Sequence, residues 1–387
     1  MEEYPSPNSY HQTSPHSVII KFNSEIDENF SLVILDINNQ VITSNENTKA
    51  ATLNETQKEI HMKLPLLESG KYMVKYYVIS LNDGHPVEGT YYFEVSTIQK
   101  GKQGNIINNP LNNEIHFNYL DFFINTMNFI YTLGLTLTIG WVLWWRKIQS
   151  FSPELIRKYR FLGFEFQMLH MVGLISIILI KLNIFSNNGV TFTTNFIFET
   201  NFGFLWFVSL LVSFIGFIFL FKNPIFDYSW ILILILCRVL NGHSMEYAPI
   251  YITNLSNIAH ILAAAIWISG ITFIIIFWRK ERLYVREFLS VFSNYAFYSI
   301  ILLVITGSLL TIFYLPSLNL FHSAWSILIF IKLLLVIIIL IIGLKINRMK
   351  QKELSVLSLG KWIKLDFLFM ILIMIIVSLL TNINPNG

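Results

Sequence analysis

Residues 70–96 read GKYMVKYYVISLNDGHPVEGTYYFEVS. Two runs rich in β-branched and aromatic residues, Gly70–Ser80 and Thr90–Ser96, flank Asp83-Gly84 and Pro86, which are turn chemistry. In Tyr72-Met73-Val74-Lys75-Tyr76 the residue character alternates, as in a strand with one buried face. The stretch predicts a β-hairpin. Upstream, His16–Phe22, Phe30–Asp36, Gln40–Thr43 and Glu59–Leu64 are short runs of the same kind, separated by Gly, Asn, Asp and Pro. Residues 1–96 are therefore predicted to form an all-β, immunoglobulin-like sandwich.

The rest of the chain differs in kind. The 387 residues are 54% hydrophobic and only 13% charged, against about 25% charged in ordinary soluble domains. Residues 97–116 are polar, with Gly, Asn and Pro, and read as a linker. Residues 117–387 hold repeated apolar runs of about the 20 residues that cross a bilayer. Eight spans are predicted, near 118–145, 160–182, 203–221, 226–245, 254–278, 290–314, 323–345 and 363–381. The fourth is interrupted by Arg238 and Asn241. The fold class is thus an N-terminal β-sandwich followed by an all-α, polytopic bundle of eight transmembrane helices.

Cations mark the loops. Loop 1–2 holds Arg146, Lys147, Arg157, Lys158 and Arg160; loop 5–6 holds Arg279, Lys280, Arg282 and Arg286; loop 7–8 holds Arg348, Lys350, Lys352 and Lys361. Loops 4–5 and 6–7 hold none. The positive-inside bias makes the odd-to-even loops cytoplasmic and puts both termini and the β-domain on the outer face of the cytoplasmic membrane. MEEYPSPNSYHQT has neither basic start nor apolar core, so an export segment upstream of Met1 is expected. The net charge of +3 comes without a basic cluster, which argues against nucleic acid. No phosphate-cradling G-x-x-x-x-G-K-[ST] loop is present, which argues against nucleotide. The chain reads as a polytopic protein of a lipid bilayer and not as an enzyme.

Three groups of residues carry chemistry. Asp83 and His85, two apart in a tight turn, can point at one ion, and their donors suit Cu(II) or Zn(II); two ligands do not complete a site, and on spacing alone a surface turn with an incidental histidine is the preferred reading. VISLNDGHPVEGTYYFEV resembles the closing hairpin of CopC-type copper-binding proteins, and PHSVIIKFNSEI resembles an early strand of that family. The resemblance covers about residues 5–96. It implies that Asp83 and His85 are Cu(II) ligands. CopC-type chains commonly begin with a histidine that also binds copper, and that residue would lie just upstream of Met1; His11 and His16 are the substitutes within the chain.

At the other candidate site, Gly242-His243-Ser244-Met245-Glu246 closes span 4 and His260 opens span 5, seven residues before Trp267 on the same face. His243, His260, Met245 and Glu246 could form a metal-accepting site at the outer membrane face; interfacial histidines beside an aromatic anchor are the plain alternative. GHSMEYAPIYITNLSNIAHILAAAIWISG resembles a stretch of CopD-type membrane proteins, as do WSILIFIKLLLVIIILIIGLKINR and LLTNINP, over about residues 118–385. His170, within Gln167-Met168-Leu169-His170-Met171, and His322 are second-tier metal candidates. Lys332 lies mid-span, where a lysine needs a partner such as Glu165 or an ion path, and Arg238 is expected to snorkel outward.

Fused CopC–CopD chains imply copper capture outside and copper transport across the membrane, with a periplasmic or extracellular copper chaperone as partner. A membrane haem protein using His170, His243, His260 and His322, or a copper sensor that moves no ion, are the alternatives.

Overall fold

The computed structural model describes residues 2–28, 30–37, 40–45, 51–81, 86–96, 119–187, 200–242, 249–314, 324–351 and 356–381. By contacts the chain divides into two units, Met1–His116 with Lys181–Leu205, and Phe117–Ile180 with Trp206–Gly387.

The N-terminal residues form nine strands: β1 (Glu2–Tyr4), β2 (Ser9–His11), β3 (Ser17–Lys21), β4 (Ser31–Asp36), β5 (Val41–Ser44), β6 (Ala51–Leu53), β7 (Glu59–Lys63), β8 (Gly70–Ile79) and β9 (Pro86–Val95). They make two sheets, ordered β1-β3-β7-β6 and β2-β9-β8-β4-β5. Alternation builds the core. Val18, Ile20, Ile60 and Met62 from the first sheet meet Leu32, Ile34, Val74, Tyr76 and Phe93 from the second in one apolar cluster. Each such side chain, fully buried, contributes roughly 1.5–3 kcal/mol.

The hairpin at 70–96 is the backbone of the second sheet. β8 and β9 pair antiparallel without a break from Gly70↔Val95 to Ile79↔Pro86, so β9 begins four residues earlier than its apolar run. Proline is tolerated there because it is the first residue of the strand. The root of the turn is pinned: Leu81 N donates to Glu25 O at 2.8 Å and Asp27 N to Ile79 O at 2.8 Å, beside an isolated Ile26↔Ser80 bridge.

Eight helices follow: α1 (Tyr119–Ile148), α2 (Pro153–Asn187), α3 (Asn201–Phe219), α4 (Pro224–Leu240), α5 (Ile250–Phe277), α6 (Arg282–Tyr314), α7 (Ala324–Gln351) and α8 (Val356–Leu380). All except α4 are long and apolar enough to cross a membrane. They make this half a multi-pass membrane domain. α4 has 17 residues, or about 26 Å, short of a hydrocarbon core of about 30 Å. Its ends are set locally: Asn223 caps Ile225 N with Pro224 behind it, and Asn241 closes the last turn on Cys237 O. α7 turns Ile327, Phe330, Leu334 and Ile341 outward, as a lipid-facing helix must.

An aromatic cluster holds α1, α2, α5 and α6 together. Trp141 stacks on Tyr159 with ring centroids 4.3 Å apart. The two residues also exchange hydrogen bonds: Trp141 Nε1 donates to Tyr159 O at 2.9 Å and Tyr159 Oη to Trp141 O at 2.6 Å. Trp144 Nε1 donates to Ile266 O at 3.1 Å. Nearby, a Cβ on Gly140 would overlap Ala265 O and the Ser269 side chain, so α1 and α5 touch backbone to backbone. The buried Asp227 accepts from Arg146 Nη2 at 3.0 Å and from Phe221 N at 2.9 Å.

Candidate metal centres

Asp83 and His85 lie outside the described residues, as do His243, Met245, Glu246 and His322. The frame around them is described. The β8–β9 ladder runs to Ile79↔Pro86. β2 pairs with β9 at the far end of that ladder, His11 with Val95. At about 3.3 Å per residue, nine residues of β9 separate the two pairs by roughly 30 Å. His11 is engaged locally, its Nε2 sharing a 2.8 Å hydrogen bond with Ser9 Oγ, its ring edge-on to Tyr4 and Phe93. β1 pairs with β3, Glu2 opposite Lys21, and Glu3 accepts from Tyr76 Oη at 3.1 Å. His61 contacts a carboxylate, 3.0 Å from Glu59 on the same face of β7. Among the described residues no three His, Cys, Asp or Glu side chains come together as a metal cluster.

In the helical half His260 is half-buried on α5, with Ala263 and Trp267 buried behind it on the same face. Its Nδ1 lies 2.9 Å from Thr306 Oγ1 of α6. Thr306 Oγ1 also lies 2.6 Å from Leu302 O, so the hydroxyl is held between its own helix and the ring and orients the imidazole. A partner on one ring nitrogen that sets the ring's orientation is how metal-binding histidines are commonly supported. A Cβ at Gly307 would sit 3.4 Å from the His260 ring, so the next turn of α6 also holds it in place. Lys332 of α7 is within electrostatic range of this ring. Among the described residues it makes no ion pair with Glu165, which lies on the exposed face of α2; the expected internal pair is not formed.

His170 is held differently. It is 1% exposed, with Nε2 3.0 Å from Ser213 Oγ of α3 and its ring stacked on Tyr131 of α1 at 5.4 Å. A Cβ on Gly134 would overlap the His170 backbone, so α1 and α2 cross at this point. Nδ1 has no hydrogen-bond partner among the described residues. Met168 is exposed, which keeps it off the face that buries His170. Arg238 lies over the other ring of this stack, 5.5 Å from the Tyr131 centroid, rather than reaching outward.

Two polar residues of the interior carry no signal in the sequence reading. Thr306 acts through a partner 46 residues away. Asp366 is buried on α8, its Oδ1 without a hydrogen-bond partner among the described residues.

Residues 1–96 match the CopC domain model and residues 286–380 match that of Copper resistance protein D. The second match spans α6–α8 and stops short of His243 and His260. The two matches thus lie in one chain, the CopC model first and the Copper resistance protein D model second. It is 25% identical over 374 residues to the copper transport protein CutJ of Bacillus subtilis (strain 168), covering 88% of this chain and 65% of that protein. The chain thus spans just under two thirds of that relative's length. Among solved structures, CopC from Methylosinus trichosporium OB3b is 28% identical, covering 26% of this chain and 96% of that one, with a TM-score of 0.23. PcoC, a copper resistance protein from Escherichia coli, is 18% identical, covering 24% of this chain and 96% of its own, with a TM-score of 0.20.

Proposed function

We propose that this protein captures copper with its sandwich on the outer face of the cytoplasmic membrane and passes it across through its helices. Asp83 and His85, between β8 and β9 in the sequence, supply oxygen and nitrogen donors for Cu(II), with a copper chaperone outside the cell membrane as donor. His243, His260, Met245 and Glu246 accept the ion at the start of the membrane path. His170 and His322 serve as secondary ligands. Charge in the loops supports this orientation, and the order CopC then CopD supports the division of labour.

The observation that carries the reading is His260, half-buried on α5 and oriented by the Thr306 hydroxyl at 2.9 Å. His243→Ala and His260→Ala are each expected to cut copper accumulation in cells at least tenfold at unchanged protein level. Normal accumulation in both overturns the membrane site. A Soret band in the purified protein, lost on the same substitutions, would transfer these histidines to haem.

A further inference from the structure

α8 turns a file of donor atoms into the bundle. Asp366, Met370, Met374 and Ser378 recur at every fourth residue, and all are buried, at 8%, 0%, 4% and 2% exposure. A four-residue step advances about 6 Å and slightly overshoots one turn, so the four make a single stripe. α8 packs against α1, α5 and α7. Ser378 Oγ donates its proton to Ile375 O at 2.7 Å, which leaves its lone pairs unused. Asp366 Oδ1, as noted, has no hydrogen-bond partner among the described residues.

The two methionines alone would be ordinary gap-fillers. The carboxylate changes the reading. An ionisable side chain inside the membrane is costly and marks an ion or proton path by default, and this one lies on the same stripe as two thioethers. Thioether sulfur selects Cu(I) over harder ions. One carboxylate balances one monovalent cation, so Cu(I) at Asp366 forms a neutral pair in a low-dielectric interior. Several weak sites in series, rather than one strong one, let an ion leave as well as bind.

Depth ties the stripe to His260. A Cβ at Gly360, near the start of α8, would lie 3.2 Å from the indole of Trp278, just past the end of α5. His260 and Ser378 each lie eighteen residues from that contact. The helices run in opposite directions, so Ser378 lies at the depth of His260. Asp366 then lies about 18 Å further along the bundle.

We propose that this stripe is the Cu(I) path through the membrane domain, from the depth of His260 past Met374 and Met370 to Asp366; Cu(II) captured by the sandwich enters it after one-electron reduction by an external reductant of the ascorbate class, which is oxidised in turn. The proposal rests on the copper reading above and is separable from it. The full chain in lipid nanodiscs, given one equivalent of Cu(I) under ascorbate, is examined by X-ray absorption; the same protein in vesicles is assayed for Cu(I) flux. Met370→Leu with Met374→Leu keeps side-chain volume. This variant is expected to lose the sulfur shell around copper and to cut flux at least tenfold. Asp366→Asn is expected to cut flux as far, with partial recovery in Asp366→Glu. An unchanged sulfur shell in the leucine pair overturns the stripe even if the wild type transports. A sulfur shell lost in that pair, in a protein that moves no copper, upholds the stripe as a Cu(I) site and overturns transport.

Discussion

The sandwich and the helical half bury different polar side chains. The sandwich core is an apolar cluster drawn from both sheets, with Asp27, Thr43, Ser44 and Ser80 also buried; its expected ligands, Asp83 and His85, fall in sequence between β8 and β9. The helical half buries Gln167, His170, Asp227 and Asp366 among its apolar side chains. A β-domain can draw an ion site from the sequence between two strands, because water serves such a segment. A membrane bundle has no such margin, so its ligands must be interior and each needs a support. Among the described residues the support differs: a full ion pair at Asp227, a single hydroxyl at His260, and no hydrogen bond at Asp366 Oδ1.

The strongest test of this contrast is Asp227→Ala. It strips Arg146 and the Phe221 amide of their shared acceptor and is expected to cost about 3 kcal/mol, at the low end for a broken buried pair because Arg146 keeps partial exposure; a thermal-shift series in detergent measures it. Thr306→Val comes next. Losing the hydroxyl that orients His260 should weaken copper binding at that site about tenfold, with Thr306→Ser restoring it, read by copper titration of the full chain. The smallest effects belong to the sandwich. Tyr76→Phe deletes the hydrogen bond to Glu3 and should cost about 1 kcal/mol. Tyr91→Phe removes a buried hydroxyl that has no hydrogen-bond partner among the described residues and should fall within about 0.5 kcal/mol of zero. Hydrogen exchange at β8 amides separates the two. Burial pushes both phenols above the usual tyrosine range. The unfolded chain therefore ionises first, so this contribution to stability is intact below about pH 10 and is lost as pH rises through the folded values. Each Phe variant should flatten that alkaline loss.

The legible parts of the sequence were those with a repeating signal. Alternation from Tyr72 to Tyr76 reports a strand between two neighbours, and apolar runs of membrane length report seven helices directly. β1, β2 and β6 were not legible. Each has three residues and is a strand only because β3, β9 or β7 offers a partner. The start of β9 was hidden by Pro86, which reads as turn chemistry until Ile79 is seen opposite it. In the helices, the polar residues that matter are set by distant contacts. Thr306 is one threonine in an apolar run until His260 arrives beside it. Asp366 follows Lys364 by two residues and reads as a loop edge, although Lys364 is exposed and Asp366 is buried. His260 was legible as a candidate; its contact with Thr306 was not.

The glycine contact between α1 and α5 has a mechanical meaning. Helices separated by a layer of side chains can slide by repacking that layer. At Gly140 there is no layer, and Trp144 ties the same pair through Ile266 O. α1 and α5 therefore act as a stator. Any cycle that opens the bundle first to one side and then to the other has to be executed by the remaining helices turning against this fixed pair.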